Sequence, residues 1–276
     1  MKNQYFGDIN DYVKYGLLRL LGGNGHLELA VCWVLTRDDS IIDGRRVGYL
    51  NQANTWQKYD PQLFSHLRDE VIDKGHRRVS VIEEAGVLKN CRFFNEHIQD
   101  DGDRRDDYFE RFLRFAEGVD FVFFDPDNGL GVKSVPRGKK GSSKYVYRDE
   151  LETAYNRGHS VLLYQHFPRR PREPFIRDIV QQFRGLKGIR WMVSFSSSHG
   201  VFLLFPQPHH ESVLHSNTIR VADSWGSMMQ IKMHRVLPTS NKQRERGSSR
   251  IVSQDVELLQ TGVELTCHIT DQEEMA

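Results

Sequence analysis

Cysteine is scarce in this chain of 276 residues: Cys32, Cys91 and Cys267 are far apart and odd in number. That excludes a disulfide framework and a cysteine-based zinc site, and it points to a reducing compartment, so a cytoplasmic location is expected. No apolar stretch approaches the ~20 residues that a membrane span needs. The opening residues Met1-Lys2-Asn3-Gln4-Tyr5-Phe6-Gly7-Asp8 contain no apolar segment of the kind a secretory signal carries. No internal repeat is present, which argues against a solenoid. Charge of one sign is also missing: 27% of residues are charged, yet the formal net charge is +1, so affinity for RNA or DNA has to come from local patches. With 38% hydrophobic residues, the length suits one large α/β domain, or one domain with a small appendage.

The most informative segment is Phe121-Val122-Phe123-Phe124-Asp125-Pro126-Asp127-Asn128-Gly129, where a bulky apolar run stops at two carboxylates, a proline and an Asn-Gly turn. Such a run reads as a fully buried strand. In a sheet covered by helices on both faces, ligands bind at the carboxyl ends of the strands, which places Asp125 and Asp127 at the mouth of a site. A cationic segment follows, expected to be a flexible loop, with Lys133, Arg137, Lys139, Lys140, Lys144 and Arg148 spaced by Gly138, Gly141, Ser142 and Ser143. Its lysines suit phosphates, and the interleaved Tyr145 and Tyr147 suit base stacking.

Residues 8–21 read as a helix capped by Asp8 or Asn10 and stopped at Gly22-Gly23, and 61–73 as a second with Pro61 in its first turn. Leu29 to Thr36 reads as a buried strand, followed by a polar turn holding Asp38, Asp39 and Asp43 beside Arg45 and Arg46. Val79 to Glu84 is ambiguous between strand and helix start. An amphipathic helix at 106–117 feeds the strand ending at Asp125, and a further helix is expected at 149–157. A strand at 159–165 ends in His166-Phe167-Pro168-Arg169-Arg170, and a helix at 174–183 precedes an antiparallel hairpin of 191–195 and 200–205. The alternation predicts an α/β fold: a Rossmann-like, mostly parallel sheet with helices on both faces and a C-terminal antiparallel hairpin. Residues 1–206 read as the catalytic domain and 207–276 as a partly irregular extension, with a polar stretch at 240–249 and a strand-like segment at 256–269.

This order of parts resembles the class I methyltransferase fold, and most nearly the large-subunit ribosomal RNA adenine-N6 methyltransferase family. Phe6-Gly7-Asp8-Ile9-Asn10-Asp11-Tyr12-Val13-Lys14-Tyr15 stands where that family has a helix that helps close over the cofactor. Asp125-Pro126-Asp127-Asn128 resembles its catalytic Asp-Pro-Pro-Tyr, and a helix, a strand and a closing hairpin follow in both. Two positions depart from the pattern. The turn after the first strand lacks glycine until Gly44, and Asp127-Asn128 offers no stacking face. The resemblance implies an S-adenosylmethionine-dependent enzyme acting on RNA or DNA. Asp125, Asp127 and His166 would be catalytic. Asp8, Lys14, Thr36, Asp38 and Asp43 would contact cofactor, and Lys139, Lys140, Lys144, Tyr145 and Arg169 would hold substrate.

Other readings stay open. The carboxylates Asp125 and Asp127, with an acid from 38–43, could instead ligate Mg²⁺ or Mn²⁺ in a nuclease or phosphohydrolase. A third is a non-catalytic nucleic-acid-binding module. His166 suits general acid–base work and Arg169 and Arg170 suit phosphates, whereas Ser198-His199 and His209-His210 read as surface pairs.

Overall fold

The computed structural model describes residues 1–39 and 44–236. Asp43, the polar stretch at 240–249 and the strand-like segment at 256–269 therefore lie outside the described residues. The chain runs through α1 (Ile9–Leu21), β1 (Leu29–Cys32), α2 (Ala53–Trp56), α3 (Pro61–Arg68), α4 (Ser80–Glu84) and β2 (Cys91–Phe94). It continues through α5 (Gly102–Phe115), β3 (Phe121–Phe124), β4 (Gly129–Leu130), β5 (Tyr145–Val146), α6 (Arg148–Asn156) and β6 (Ser160–His166). It closes with α7 (Arg172–Gln182), β7 (Trp191–Ser196), β8 (Gly200–Phe205), α8 (Glu211–Trp225) and β9 (Gln230–Arg235).

A seven-stranded sheet in the order β2-β1-β3-β6-β8-β7-β9 forms the centre. Strands β2, β1, β3 and β6 are parallel, and β8, β7 and β9 join by antiparallel pairing. The mixed α/β architecture with a largely parallel sheet and a late antiparallel hairpin is thus as the alternation indicates. Side chains alternate across the sheet: Phe121 and Phe123 pack on the face covered by α1, α3, α4 and α8, while Val122 and Phe124 pack under α5, α6 and α7. Burial of both faces explains why β3 is an unbroken apolar run. Each such phenylalanine contributes on the order of 1.5–3 kcal/mol. Among the described residues no helix is long and apolar enough to cross a membrane.

Local chemistry sets the elements that frame the site. The Asp8 side chain accepts from the Asn10 amide at 3.0 Å and so caps α1. The Asp101 carboxylate caps α5 by accepting from the Arg104 amide at 2.9 Å. Residues 79–84 resolve as the short helix α4, and the helix expected over 61–73 continues past Arg68 as a wider π-helical turn, Asp69–Asp73.

Residues beyond 206 share the same body as far as they are described. Strand β9 lies against β7, and α8 packs on α1 with Trp225 fully buried over Gly16. A Cβ at Gly16 would overlap the Trp225 ring. His210, read from sequence as a surface residue, is buried, with Nδ1 3.0 Å from Ser160 Oγ and Nε2 3.3 Å from Asp120. Gly16→Ala is expected to destabilise the protein by about 1–3 kcal/mol in urea unfolding, the usual result of overpacking a filled core. An unchanged midpoint would show that α8 moves freely away from α1.

Candidate functional site

The parallel strands all end at one edge, where Asp125 follows β3, Thr36 lies past β1 and His166 closes β6. Helix α1 leans over this edge and delivers Lys14. Its Nζ lies 2.6 Å from Asp125 Oδ2 and 2.7 Å from Asp11 Oδ1, and all three side chains are buried. Asp11 Oδ2 also accepts from the Gly7 amide at 3.0 Å and the Tyr15 hydroxyl at 3.3 Å. Burial acts to lower the pKa of the Lys14 ammonium, but Asp11 and Asp125 outweigh it and hold that pKa above its usual value. Both carboxyls are shifted upward, first by burial, against the opposing pull of Lys14. One ammonium cannot neutralise two desolvated carboxylates.

The tips of β1 and β3 are bridged by Met1. Its amine donates to the Asp125 carbonyl at 2.9 Å and the Val34 carbonyl at 3.3 Å, and its carbonyl accepts from the Thr36 amide at 2.9 Å. The same amine forms an ion pair with Asp127 Oδ1 at 2.9 Å, without the alignment of a hydrogen bond, and Thr36 Oγ1 donates to Asp127 Oδ2 at 2.9 Å. Burial raises the Asp127 pKa, but the amine, Thr36 and Lys2 outweigh it, so this carboxyl sits below the usual range. Val34, buried at the tip, has φ +47°, a left-handed backbone that costs a β-branched residue on the order of 1–3 kcal/mol.

Beside this bridge opens a cleft of about 510 Å³, lined by the cations Lys2, Arg37, Arg104 and Lys144 and the acids Asp39 and Asp100. Both acids are engaged. Asp39 pairs with Lys2 and accepts from Gln4, and Asp100 accepts from the Gly141 and Ser143 amides, both at 2.7 Å. Arg104 donates to Gln99 Oε1 at 2.6 Å, while Arg37 and Lys144 form no ion pair among the described residues.

The basic segment expected to be a flexible loop is held in place. Arg105, fully buried on α5, donates to Glu150 at 2.5 and 2.8 Å, to the Ser142 carbonyl at 2.9 Å and to the Tyr145 carbonyl at 2.6 Å. Arg137 closes on Asp106 and Glu150. Tyr147 does not reach the Asp125 tip: its ring covers Arg105 and its hydroxyl donates to the Val135 carbonyl at 2.6 Å. Tyr145 is a residue of β5, paired with Gly129.

The structure thus brings Asp125, Lys14, Asp127 and Thr36 together, with Lys144 across the cleft. It does not bring in Asp8, whose carboxylate is spent on capping α1 and on the Arg46 amide, or Asp38, which is exposed and accepts from the Gln4 amide. Lys139 and Lys140 are exposed beside the cleft, and His166 and Arg169 stand on the far side of the tip at the end of β6. Among the described residues no group of three or more His, Cys, Asp or Glu could hold a metal ion. The residues that sequence reasoning missed are Met1, Tyr15, Arg105 and Tyr164. Tyr164 is half-buried on β6, its hydroxyl pushed up by burial and by the field of Asp125. For Arg105 a signal existed: an arginine on the apolar side of an amphipathic helix requires a buried acid.

Lys14→Met is expected to destabilise the protein by about 3–5 kcal/mol at pH 7, the usual loss when a buried pair is broken. Carboxyls with raised pKa stabilise the fold below their unfolded value of 3.8 and lose that contribution as pH rises through the folded pKa. Removing the ammonium raises them further, so the deficit should shrink between pH 7 and 5 in urea unfolding. A deficit independent of pH would contradict this. Asp127, shifted down, has the opposite sign: its contribution is present above 3.8 and fades as pH falls through its folded pKa.

No family model matches the chain, and no curated protein matches it. Among solved structures it is similar to a protein from Legionella pneumophila str. Philadelphia 1 described under the family model DUF519. The superposition covers 84% of this chain and 98% of that one, at 10% identity and a TM-score of 0.42.

Proposed function

We propose that this protein binds nucleic acid along the carboxyl edge of its sheet, with the cleft beyond β1 taking phosphate. One observation carries the reading: Lys2, Arg37, Arg104 and Lys144 converge from four separate segments on a cleft whose two carboxylates are already engaged. In a chain of net charge +1 this is a local concentration of positive charge, which attracts a polyanion and disfavours a cation. The volume lies in the range of ligand sites, about 300–1,000 Å³. The loop that supplies Lys144 is already ordered by Arg105, so little entropy is lost when a ligand binds.

A second reading, a methyltransferase-like enzyme acting on nucleic acid, is favoured by the meeting of Lys14 and Asp125. These residues lie 111 positions apart, each in one of the two segments that carry the resemblance, and they end 2.6 Å from each other. The hairpin of β7 and β8 closes the sheet as that resemblance implies. S-adenosylmethionine does not fit the residues as they stand. The gap between the tips of β1 and β3 is filled by Met1, the remaining cleft is cationic whereas the cofactor carries a sulfonium, and both carboxylates that line the cleft are engaged. No step through that group is derived. The metal-dependent nuclease alternative requires Asp125 and Asp127 to exchange their present cations for Mg²⁺ or Mn²⁺.

Single-stranded RNA and DNA are expected to bind with an affinity that falls steeply with salt. Arg37→Ala/Lys144→Ala should lower the slope of log K against log salt by about 1.4, at roughly 0.7 for each phosphate no longer neutralised. Calorimetry should show no saturable heat with S-adenosylmethionine. Saturable cofactor binding that disappears in Lys14→Met would put the methyltransferase reading first, and saturable Mn²⁺ binding that disappears in Asp125→Asn would put the nuclease first.

A further inference from the structure

Across the Asp125 tip from the cleft, a second group of positive side chains gathers from four elements. Arg46 precedes α1 in space: its carbonyl accepts from the Ile9 amide at 3.1 Å and its amide donates to Asp8 Oδ2 at 3.1 Å. His166 ends β6, Arg172 opens α7, and His199 lies in the turn between β7 and β8. Backbone contacts join these pieces. The Phe167 amide donates to the His199 carbonyl at 3.2 Å, and Arg172 Nη2 donates to the Ser198 carbonyl at 2.7 Å. The Arg172 guanidinium lies over the Phe167 ring at 4.9 Å, which fixes its direction while leaving it exposed. The imidazole of His199 is shifted down, first by burial and then by Arg46, His166 and Arg172 in turn, so the four groups lie within one another's field.

The nearby acids do not neutralise this group. Asp8 is spent on its cap and on the Arg46 amide, Glu173 pairs with Lys232, and Asp178 pairs with Arg170. Like charges collected from four elements repel one another unless an anion joins them. Guanidinium groups are the side chains best shaped for phosphate. Strands β1 and β6 flank β3, so the two basic surfaces stand about 10 Å apart from tip to tip, twice the strand spacing.

We propose that Arg46, His166, Arg172 and His199 form a second phosphate-binding surface, which holds the backbone of the same nucleic-acid chain after it crosses the Asp125 tip from the cleft. This rests on the nucleic-acid reading above and adds a path: one strand laid over the ends of β1, β3 and β6, with the Lys14–Asp125 pair beneath its middle.

Two probes separate the two surfaces. A dinucleotide offers a single internucleotide phosphate and occupies one surface at a time, whereas a 12-nucleotide single strand can occupy both. Arg46→Ala/Arg172→Ala should weaken 12-mer binding about tenfold and lower its salt slope by about 1.4, the value for two phosphates. It should leave dinucleotide affinity within twofold and thermal unfolding unchanged. Arg172→Lys, which keeps the charge, should retain most of the 12-mer affinity. Wild-type 12-mer affinity and slope in the double variant, with both lost in Arg37→Ala/Lys144→Ala, would overturn the second surface and leave the cleft standing. No binding of either probe by the wild type would overturn both.

Discussion

The ammonium of Lys14, buried between Asp11 and Asp125, is the interaction on which the rest of the edge depends. It ties the first helix to the tip of the central strand across 111 residues of sequence. At this depth charges interact far more strongly than in water, and each desolvated ion is costly unless its partners stay in place. The helix therefore cannot slide without exposing an unpaired charge. That constraint fixes Gly7 and Asp8 above the strand tips, and with them the backbone of Arg46 on one side and the start of the chain on the other.

A second buried pair does the same work on the opposite face. Arg105 and Glu150 pin a lysine-rich segment that composition alone marks as a free loop. The two pairs divide the charge of the edge into layers. Inside, acids are matched to cations and shielded from water. Outside, cations from many segments are left facing solvent, because the acids near them are engaged in caps and backbone contacts. A protein with almost no net charge can in this way present a strongly basic rim, and affinity for a polyanion then follows from placement and not from composition.

Much of the scaffold was legible in the sequence because it is written locally. The unbroken run at Phe121–Phe124 shows a strand buried on both faces, the Asp8 cap and Gly22 stop bracket the first helix, and the apolar pair of strands at 191–205 shows its hairpin. Strand β2 was missed: it has only four residues, lies at the sheet edge and includes an exposed arginine, so neither periodicity nor burial marks it. Strand β9 was missed for a similar reason, since Gln230–Arg235 is an edge strand with polar residues on both faces. The site was legible only in part. Asp125, Lys14 and Thr36 all stand out in the sequence, but spacing could not show that the lysine and the aspartate would neutralise each other. Nor could it show that Met1 would fill the gap between strand tips, because both facts depend on how distant segments fold together.

The central claim is that the basic carboxyl edge, supported from beneath by the Lys14–Asp125 pair, is where nucleic acid lies. Amide hydrogen exchange with and without a saturating 12-nucleotide single strand tests it most directly. The account predicts added protection confined to the segments at residues 36–39, 97–104, 141–146, 166–172 and 197–200, with helices α3 and α8 unaffected. Protection centred on those helices, or none at saturation, would contradict it.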